Sequence, residues 1–187
     1  MTKEKTGSVR IIAGEWRSRK LPVADVPGLR PTTDRVRETL FNWLQHSIVQ
    51  ARCLDLFAGT GALGFEAASR GAAEVLMIER DRKAFAGLQH AVEVLKTDRV
   101  KVIQADSLSW LEKTDQIFDI IFFDPPFDQN LVPEILEKLM QSSCIKSGAL
   151  IYLEEKQQAE ETILPETLQS VKQGKAGQVR YSLLKVS

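Results

Sequence analysis

Four apolar runs in the middle of the chain each end in an acidic residue. Cys53-Leu54 precedes Asp55, the run from Glu74 closes on Glu79, Val100 to Ala105 precedes Asp106, and Phe118 to Phe123 precedes Asp124. Segments with helical periodicity separate them. Short apolar runs alternating with helices specify a parallel sheet covered by helices on both faces, because a strand buried on both sides carries no polar alternation. In such an open sheet the carboxyl ends of the strands share one crevice, so the four acids are expected along one rim. Each acid alone has an ordinary reading as a helix N-cap or a solvated turn. Four in succession are harder to explain that way.

The expected order begins with a helix from Thr33 to Ile48, capped by Thr32 or Thr33, with Asp34 in its first turn. Val36, Leu40, Trp43 and Leu44 form its apolar stripe, which makes Trp43 a core residue. A strand over 51–57, a helix reaching Arg70, a strand over 74–79 and a helix over 81–96 follow. Next come a strand over 100–105, a short helix over 107–113, a strand over 118–123, a helix over 131–140 and a strand over 149–154. The tail changes character. Leu168 to Gln173 and Gln178 to Val186, joined by Gly174-Lys175-Ala176-Gly177, read as an antiparallel hairpin that closes the sheet. Glu154-Glu155-Lys156 and Glu160-Glu161 read as solvated faces.

After the first central strand, Gly59, Gly61 and Gly64 fit the dinucleotide pattern G-x-G-x-x-G, in which glycines admit a ligand close to the backbone and the following helix offers free N–H groups. That pattern suits NAD. Asp55, immediately ahead of the glycines, would repel a pyrophosphate but would hold an ammonium group. S-adenosylmethionine has that ammonium and no phosphate, so it is the favoured ligand. Glu79 follows at the distance from which a carboxylate binds ribose hydroxyls, which either nucleoside would satisfy. Asp106 and Ser107 are placed to meet an adenine amine and ring edge. The cofactor set is therefore Asp55, Phe57, Gly59, Gly61, Glu79, Arg80, Asp106 and Ser107.

Asp124-Pro125-Pro126-Phe127 closes the fourth run and suits the grip on a flat, NH2-bearing group. The aspartate accepts N–H, the prolines fix φ and leave carbonyls without competing donors, and the phenylalanine can stack on a base. The plain alternative is a strand-ending turn.

Composition sets the remaining bounds. The chain has 187 residues, 43% hydrophobic and 27% charged, enough for one globular domain with a small appendage. Neither an apolar run of membrane-spanning length nor a signal-peptide core is present, so the expected compartment is the cytoplasm. Cys53 and Cys144 have no metal or disulfide spacing, His46 and His90 are isolated, and no metal site is expected. Net charge is zero, yet residues 1–37 carry nine Lys/Arg against four acids, a local +5 that leaves −5 elsewhere. A basic appendage on an acidic body suits a polyanion. Val9 to Gly14 and Arg17 to Pro22 are expected to pair as a hairpin across Gly14-Glu15-Trp16. Arg10, Arg17, Arg19 and Lys20 would face phosphates, Trp16 would stack on a base, and Arg35 joins the RNA-facing set. The plain alternative is an edge hairpin with Trp16 packed on the domain.

These motifs resemble the class I S-adenosylmethionine-dependent methyltransferases, and within them the RsmD family of small-subunit ribosomal RNA guanine-N2 methyltransferases. The resemblance runs through Arg10 to Gly14, Arg17 to Leu21, Arg30 to Glu38, Asp55 to Gly64 and Asp124 to Phe127. The two N-terminal segments narrow it to that family. Glu15 departs from it, where a basic or small residue is expected. The resemblance implies an α/β, Rossmann-like sheet of seven mostly parallel strands with helices on both faces, an antiparallel C-terminal hairpin and an N-terminal β-hairpin appendage. The chain is expected to divide into a basic RNA-docking extension over 1–30 and a methyltransferase domain over 31–187. The resemblance also implies methylation of guanine 966 of 16S rRNA in an assembled or partly assembled small ribosomal subunit; the expected protein is a monomer without metal. Other readings share parts of the pattern: an N-methyltransferase acting on DNA adenine or protein glutamine, an NAD-dependent oxidoreductase, and a non-catalytic RNA-binding module.

Overall fold

The structure, a computed structural model, describes residues 7–24, 26, 32–126, 132–159 and 162–187. Two short strands, β1 (Gly7–Arg10) and β2 (Lys20–Val23), precede α1 (Asp34–Trp43). There follow β3 (Arg52–Asp55), α2 (Ala62–Ser69), β4 (Glu74–Glu79), α3 (Arg82–Leu95), β5 (Val100–Gln104), α4 (Ser107–Leu111), β6 (Phe118–Phe123) and α5 (Val132–Gln141). The chain ends with β7 (Ile145–Lys156), β8 (Leu168–Ala176) and β9 (Val179–Val186). The main sheet has seven strands in the order β5-β4-β3-β6-β7-β9-β8. β3 pairs in parallel with β4 and β6, β4 with β5, and β6 with β7. β9 runs antiparallel between β7 and β8. The expected Rossmann-like sheet and its antiparallel tail are what the chain adopts.

Alternation along the central strands builds two cores. Cys53, Val75, Met77, Ile120, Phe122 and Tyr152 point to the face covered by α1, α2 and α3. Leu54, Leu76, Ile78, Ile121, Phe123 and Ile151 point to the face covered by α4 and α5. No helix among the described residues is long and apolar enough to cross a membrane.

Several boundaries differ from expectation for identifiable reasons. α1 stops at Trp43 because Ser47 and Ile48 donate their N–H groups to the single carbonyl of Leu44, turning the chain while still burying Ile48. The tail hairpin turns at Gly177-Gln178, since Ala176 pairs with Val179. Gly174 lies within β8, under the ring of Tyr181, where a Cβ would come within 2.5 Å of that ring. Glu154 and Glu155 are buried, not solvated: Tyr152 donates to the first, Thr162 and Arg180 to the second. Glu160 and Glu161 lie outside the described residues.

The N-terminal hairpin is shorter than expected, with Arg10 opposite Lys20, and residues 11–19 form a loop seated on α2. Glu66, fully buried in that helix, accepts the N–H groups of Ile12 at 2.8 Å and Ala13 at 3.0 Å, and Arg70 Nε at 2.7 Å. Ser69 donates its hydroxyl to Ala13 O and accepts Trp16 N–H, and its carbonyl accepts Glu15 N–H. Gly14 sits at φ +83°, and a Cβ there would lie 1.9 Å from Ser69 O. Only glycine fits, on both backbone and steric grounds. Gly14→Ala is therefore expected to destabilise the protein by more than about 2 kcal/mol in urea titration. An unchanged midpoint would mean that the loop does not need this contact.

Candidate active site

The loop after β3 hangs from the ends of both neighbouring strands. Leu56 N–H donates to Phe122 O at 3.1 Å, Ala58 N–H to Ile78 O at 3.0 Å, and Gly59 N–H to Glu79 Oε2 at 2.8 Å. Gly61 turns the chain into α2 at φ +76°, and among the described residues no side chain caps that helix. Asp55 lies beneath the loop with only 1% of its surface exposed. Burial lifts its carboxyl from 3.8 to about 7, the backbone N–H groups of Phe57 and Gly64 pull it down, and the Glu79 charge pushes it up. Its Oδ1 has no hydrogen-bond partner among the described residues.

Glu79, half-buried, accepts Asp81 N–H on Oε1 at 2.7 Å besides Gly59 on Oε2. Each oxygen keeps a second lone pair, so the carboxylate is oriented by the backbone and still able to accept. Arg80 beside it is exposed. Phe57 stacks on Phe123, ring centroids 5.8 Å apart, in the α4–α5 core. Asp106 caps α4, accepting Ser109 N–H on Oδ1, and remains exposed. Ser107 departs from the expected adenine contact in its side chain, for its buried hydroxyl donates to Leu56 O and thereby ties α4 to the glycine loop.

Asp124 leaves the end of β6 half-buried, with Thr32 donating to its Oδ2 at 3.2 Å. Burial and the neighbouring Glu154 carboxylate raise its carboxyl well above the usual range, while the Thr32 hydrogen bond opposes them. Pro125 is buried and Pro126 exposed. Phe127 lies outside the described residues. Thr32 and Glu154 escape a reading of the sequence as site residues: one resembles a spare helix cap, the other part of a polar run. Thr33 takes the cap, accepting Val36 N–H, which leaves Thr32 for Asp124.

The basic N-terminal set is partly rearranged. Arg17, Arg19, Lys20 and Arg35 are exposed; Arg10, also exposed, pairs with Asp34 at 3.1 Å. Trp16 is 4% exposed and packs in the core with the Arg99 guanidinium 5.1 Å from its ring centre. It is not available to stack on a base, which corrects that expectation. Glu15 pairs with the same Arg99, a local reason for an acid at this position. Arg37 is likewise buried, bonded to Asp34 and to Arg10 O, so it adds nothing to the outer charge. Among the described residues no group of three His, Cys, Asp or Glu is arranged to hold a metal.

The crevice favours a cationic ligand without phosphate. Asp55 and Asp124 are already raised by burial and by neighbouring acids, so a pyrophosphate would add repulsion where an ammonium would relieve it. Comparison with known proteins points the same way. The family model described as conserved hypothetical protein 95 matches residues 9–185. Ribosomal RNA small subunit methyltransferase D of Escherichia coli K12 is 46% identical over 178 residues, covering 95% of this chain and 90% of that protein. The protein of that name from Haemophilus influenzae is 44% identical over 186 residues, covering 97% and 96%. The solved structure of the candidate methyltransferase yhhF from Escherichia coli superposes with a TM-score of 0.89 at 42% identity, covering 96% of this chain and 98% of that one.

A raised carboxyl makes folding take up a proton, so Asp55 lowers stability as pH rises from about 4 to about 7. Asp55→Asn is expected to flatten that decline in thermal melts of the ligand-free protein while weakening S-adenosylmethionine at least about tenfold by calorimetry. Wild-type affinity in the folded variant would remove Asp55 from the site.

Proposed function

Given that this chain belongs to the ribosomal RNA small subunit methyltransferase D family, we propose that it moves the methyl group of S-adenosylmethionine to the exocyclic N2 amine of a guanine in small-subunit ribosomal RNA. By family resemblance the target is guanine 966, and the substrate is the assembled or partly assembled small subunit. The observation that carries the reading is the position of Asp124: an acceptor at the end of β6, held by Thr32, one strand away from the loop that Asp55 and Glu79 support.

When bound, the cofactor supplies an electrophilic sulfonium methyl. The glycine loop receives its amino-acid end above Asp55, whose Oδ1, without a partner among the described residues, and negative field suit the ammonium. Glu79 is oriented to accept ribose hydroxyls, and Asp106 to meet the adenine edge. The Asp124 carboxylate and the Pro125 carbonyl accept the two N–H bonds of the guanine amine, turning its lone pair out of conjugation and toward the methyl. The new N–C bond forms as the S–C bond breaks, with that electron pair remaining on sulfur, and the excess proton on nitrogen passes to Asp124 or to water. Phe127 is assigned to stack on the base, which must leave any helical stack to reach the crevice. Arg10, Arg17, Arg19, Lys20 and Arg35 serve the RNA backbone.

Asp124→Ala is expected to slow single-turnover methyl transfer at least about a hundredfold while changing cofactor affinity by less than about threefold. Near-normal turnover would return Asp-Pro-Pro-Phe to the status of a structural turn. Replacing Arg17 and Arg19 with Glu should lower the log-log salt slope of particle binding by about two units and abolish particle methylation, with cofactor affinity intact. An unchanged slope together with unchanged methylation would refute the hairpin as the RNA-docking element.

A further inference from the structure

Asp124 has a second acid beside it. β6 and β7 run parallel with Phe122 opposite Tyr152 and Phe123 opposite Leu153, so Asp124 and Glu154 stand one step further along, side by side. Side chains alternate between faces, which puts both acids on the face of Phe122 and Tyr152, under α1. Glu154 is 5% exposed and lies opposite Tyr181 of β9. Tyr152, wholly buried, donates its hydroxyl to Glu154 Oε2 at 2.7 Å. The groups around the two acids are thus the Tyr152 phenol of β7, Tyr181 of β9 opposite Glu154, Asp55 from β3, and the Thr32 hydroxyl ahead of α1. α1 itself contributes Phe41 against Phe122 and Trp43 against Tyr181.

Two carboxyls this near one another in a water-poor setting do not both ionise at neutral pH, because the second charge meets both burial and repulsion. Burial raises each of the two, and the Tyr152 hydrogen bond favours the ionised form of Glu154. Resting on the methyl-transfer reading above, we propose that Asp124 and Glu154 form a carboxyl pair holding one proton between them, with Glu154 the positioning residue that takes this proton when a substrate amine needs Asp124 as an acceptor. At rest the proton sits on Asp124 and the charge on Glu154, where the Tyr152 hydroxyl faces it. An arriving amine offers N–H bonds that favour the ionised Asp124, and the proton moves across. After methyl transfer the pair receives the proton shed by nitrogen, passing from one proton and one negative charge to two protons and none. Loss of a proton to water restores it.

Carbon-13 NMR of protein labelled at the Asp and Glu carboxyl carbons, titrated without cofactor or RNA, reads the pair independently of turnover. The wild-type resonances, assigned with Asp124→Asn and Glu154→Gln, are expected to titrate in separate steps above the ordinary carboxylate range. In Glu154→Gln the Asp124 step should fall by at least about one pH unit, because the like charge is gone. Tyr152→Phe keeps both carboxyls and removes only the donor, so the Glu154 step should rise and the Asp124 step fall. An Asp124 midpoint unmoved in both variants would overturn the pair, whether or not the protein methylates RNA. In single turnover the wild-type acid limb should follow the first step of the pair, because Glu154 can hold the remaining proton; in Glu154→Gln that acceptor is gone, so the limb should move to higher pH and coincide with the variant's Asp124 step. A limb that stays in place with only its height reduced would show a structural role and would also overturn the proposal. A wild-type protein that titrates as expected but transfers no methyl to RNA would refute the methylation reading alone.

Discussion

β3 lying in parallel between β4 and β6 is the constraint on which the site depends. Asp55 is opposite Met77 on one side and Phe122 on the other, so β4 and β6 run only two and one residues past the carboxyl end of β3. The loop that follows β3 can then be fixed from both sides, by Ile78 O and Glu79 on β4 and by Phe122 O on β6. Were β6 antiparallel to β3, Asp124 would emerge at the far edge of the sheet and no crevice would contain it together with Asp55. The chemistry of each acid thus follows from topology before any side-chain contact is considered.

That arrangement gathers negative charge where water is scarce, and the fold responds with neutralisation and oriented backbone donors. Glu79 is held by two N–H groups, Asp55 faces those of Phe57 and Gly64, and Asp124 meets a hydroxyl. The hydroxyl comes from the segment entering α1, just beyond the N-terminal hairpin. The hairpin's own loop is locked to α2 through Glu66 and Ser69, and α2 begins at the glycine loop. The basic surface of Arg17, Arg19 and Lys20 is therefore built on the same helix whose first turn closes the cofactor loop. On the proposed reading, the RNA-docking element and the cofactor loop would share that helix, which would fix the distance between them without a flexible linker.

How much of this was legible in the sequence depended on what each residue is buried against. β4 and β6 occupy the spans expected of them, because a strand enclosed on both faces shows as an unbroken apolar run. Gly174 was read as part of a turn because isolated glycines usually mark one. Its actual role is to let the ring of Tyr181 approach the neighbouring strand, a cross-strand fact with no local signal. Glu154 read as solvent-facing because it begins a charged triplet, and only the cover of α1 shows otherwise. Trp16 read as a base-stacking ring because it sits among arginines in the sequence, whereas Arg99, from a distant part of the chain, covers it. Glu66 left a trace that was available: a single acid in the helix Ala62–Ser69, whose other residues are all small, apolar or hydroxyl-bearing, demands buried donors. Its partners, the N–H groups of Ile12 and Ala13, lie more than fifty residues away.

The central claim is that this crevice brings the cofactor methyl to a guanine amine of small-subunit ribosomal RNA. Methyl transfer from labelled S-adenosylmethionine to small subunits lacking the modification, followed by mapping of the labelled nucleotide, tests it most directly. The account predicts label on the N2 atom of one guanine of the 16S rRNA, guanine 966 by family resemblance. No label on the RNA, or label confined to ribosomal protein or to another atom of the RNA base, would contradict it.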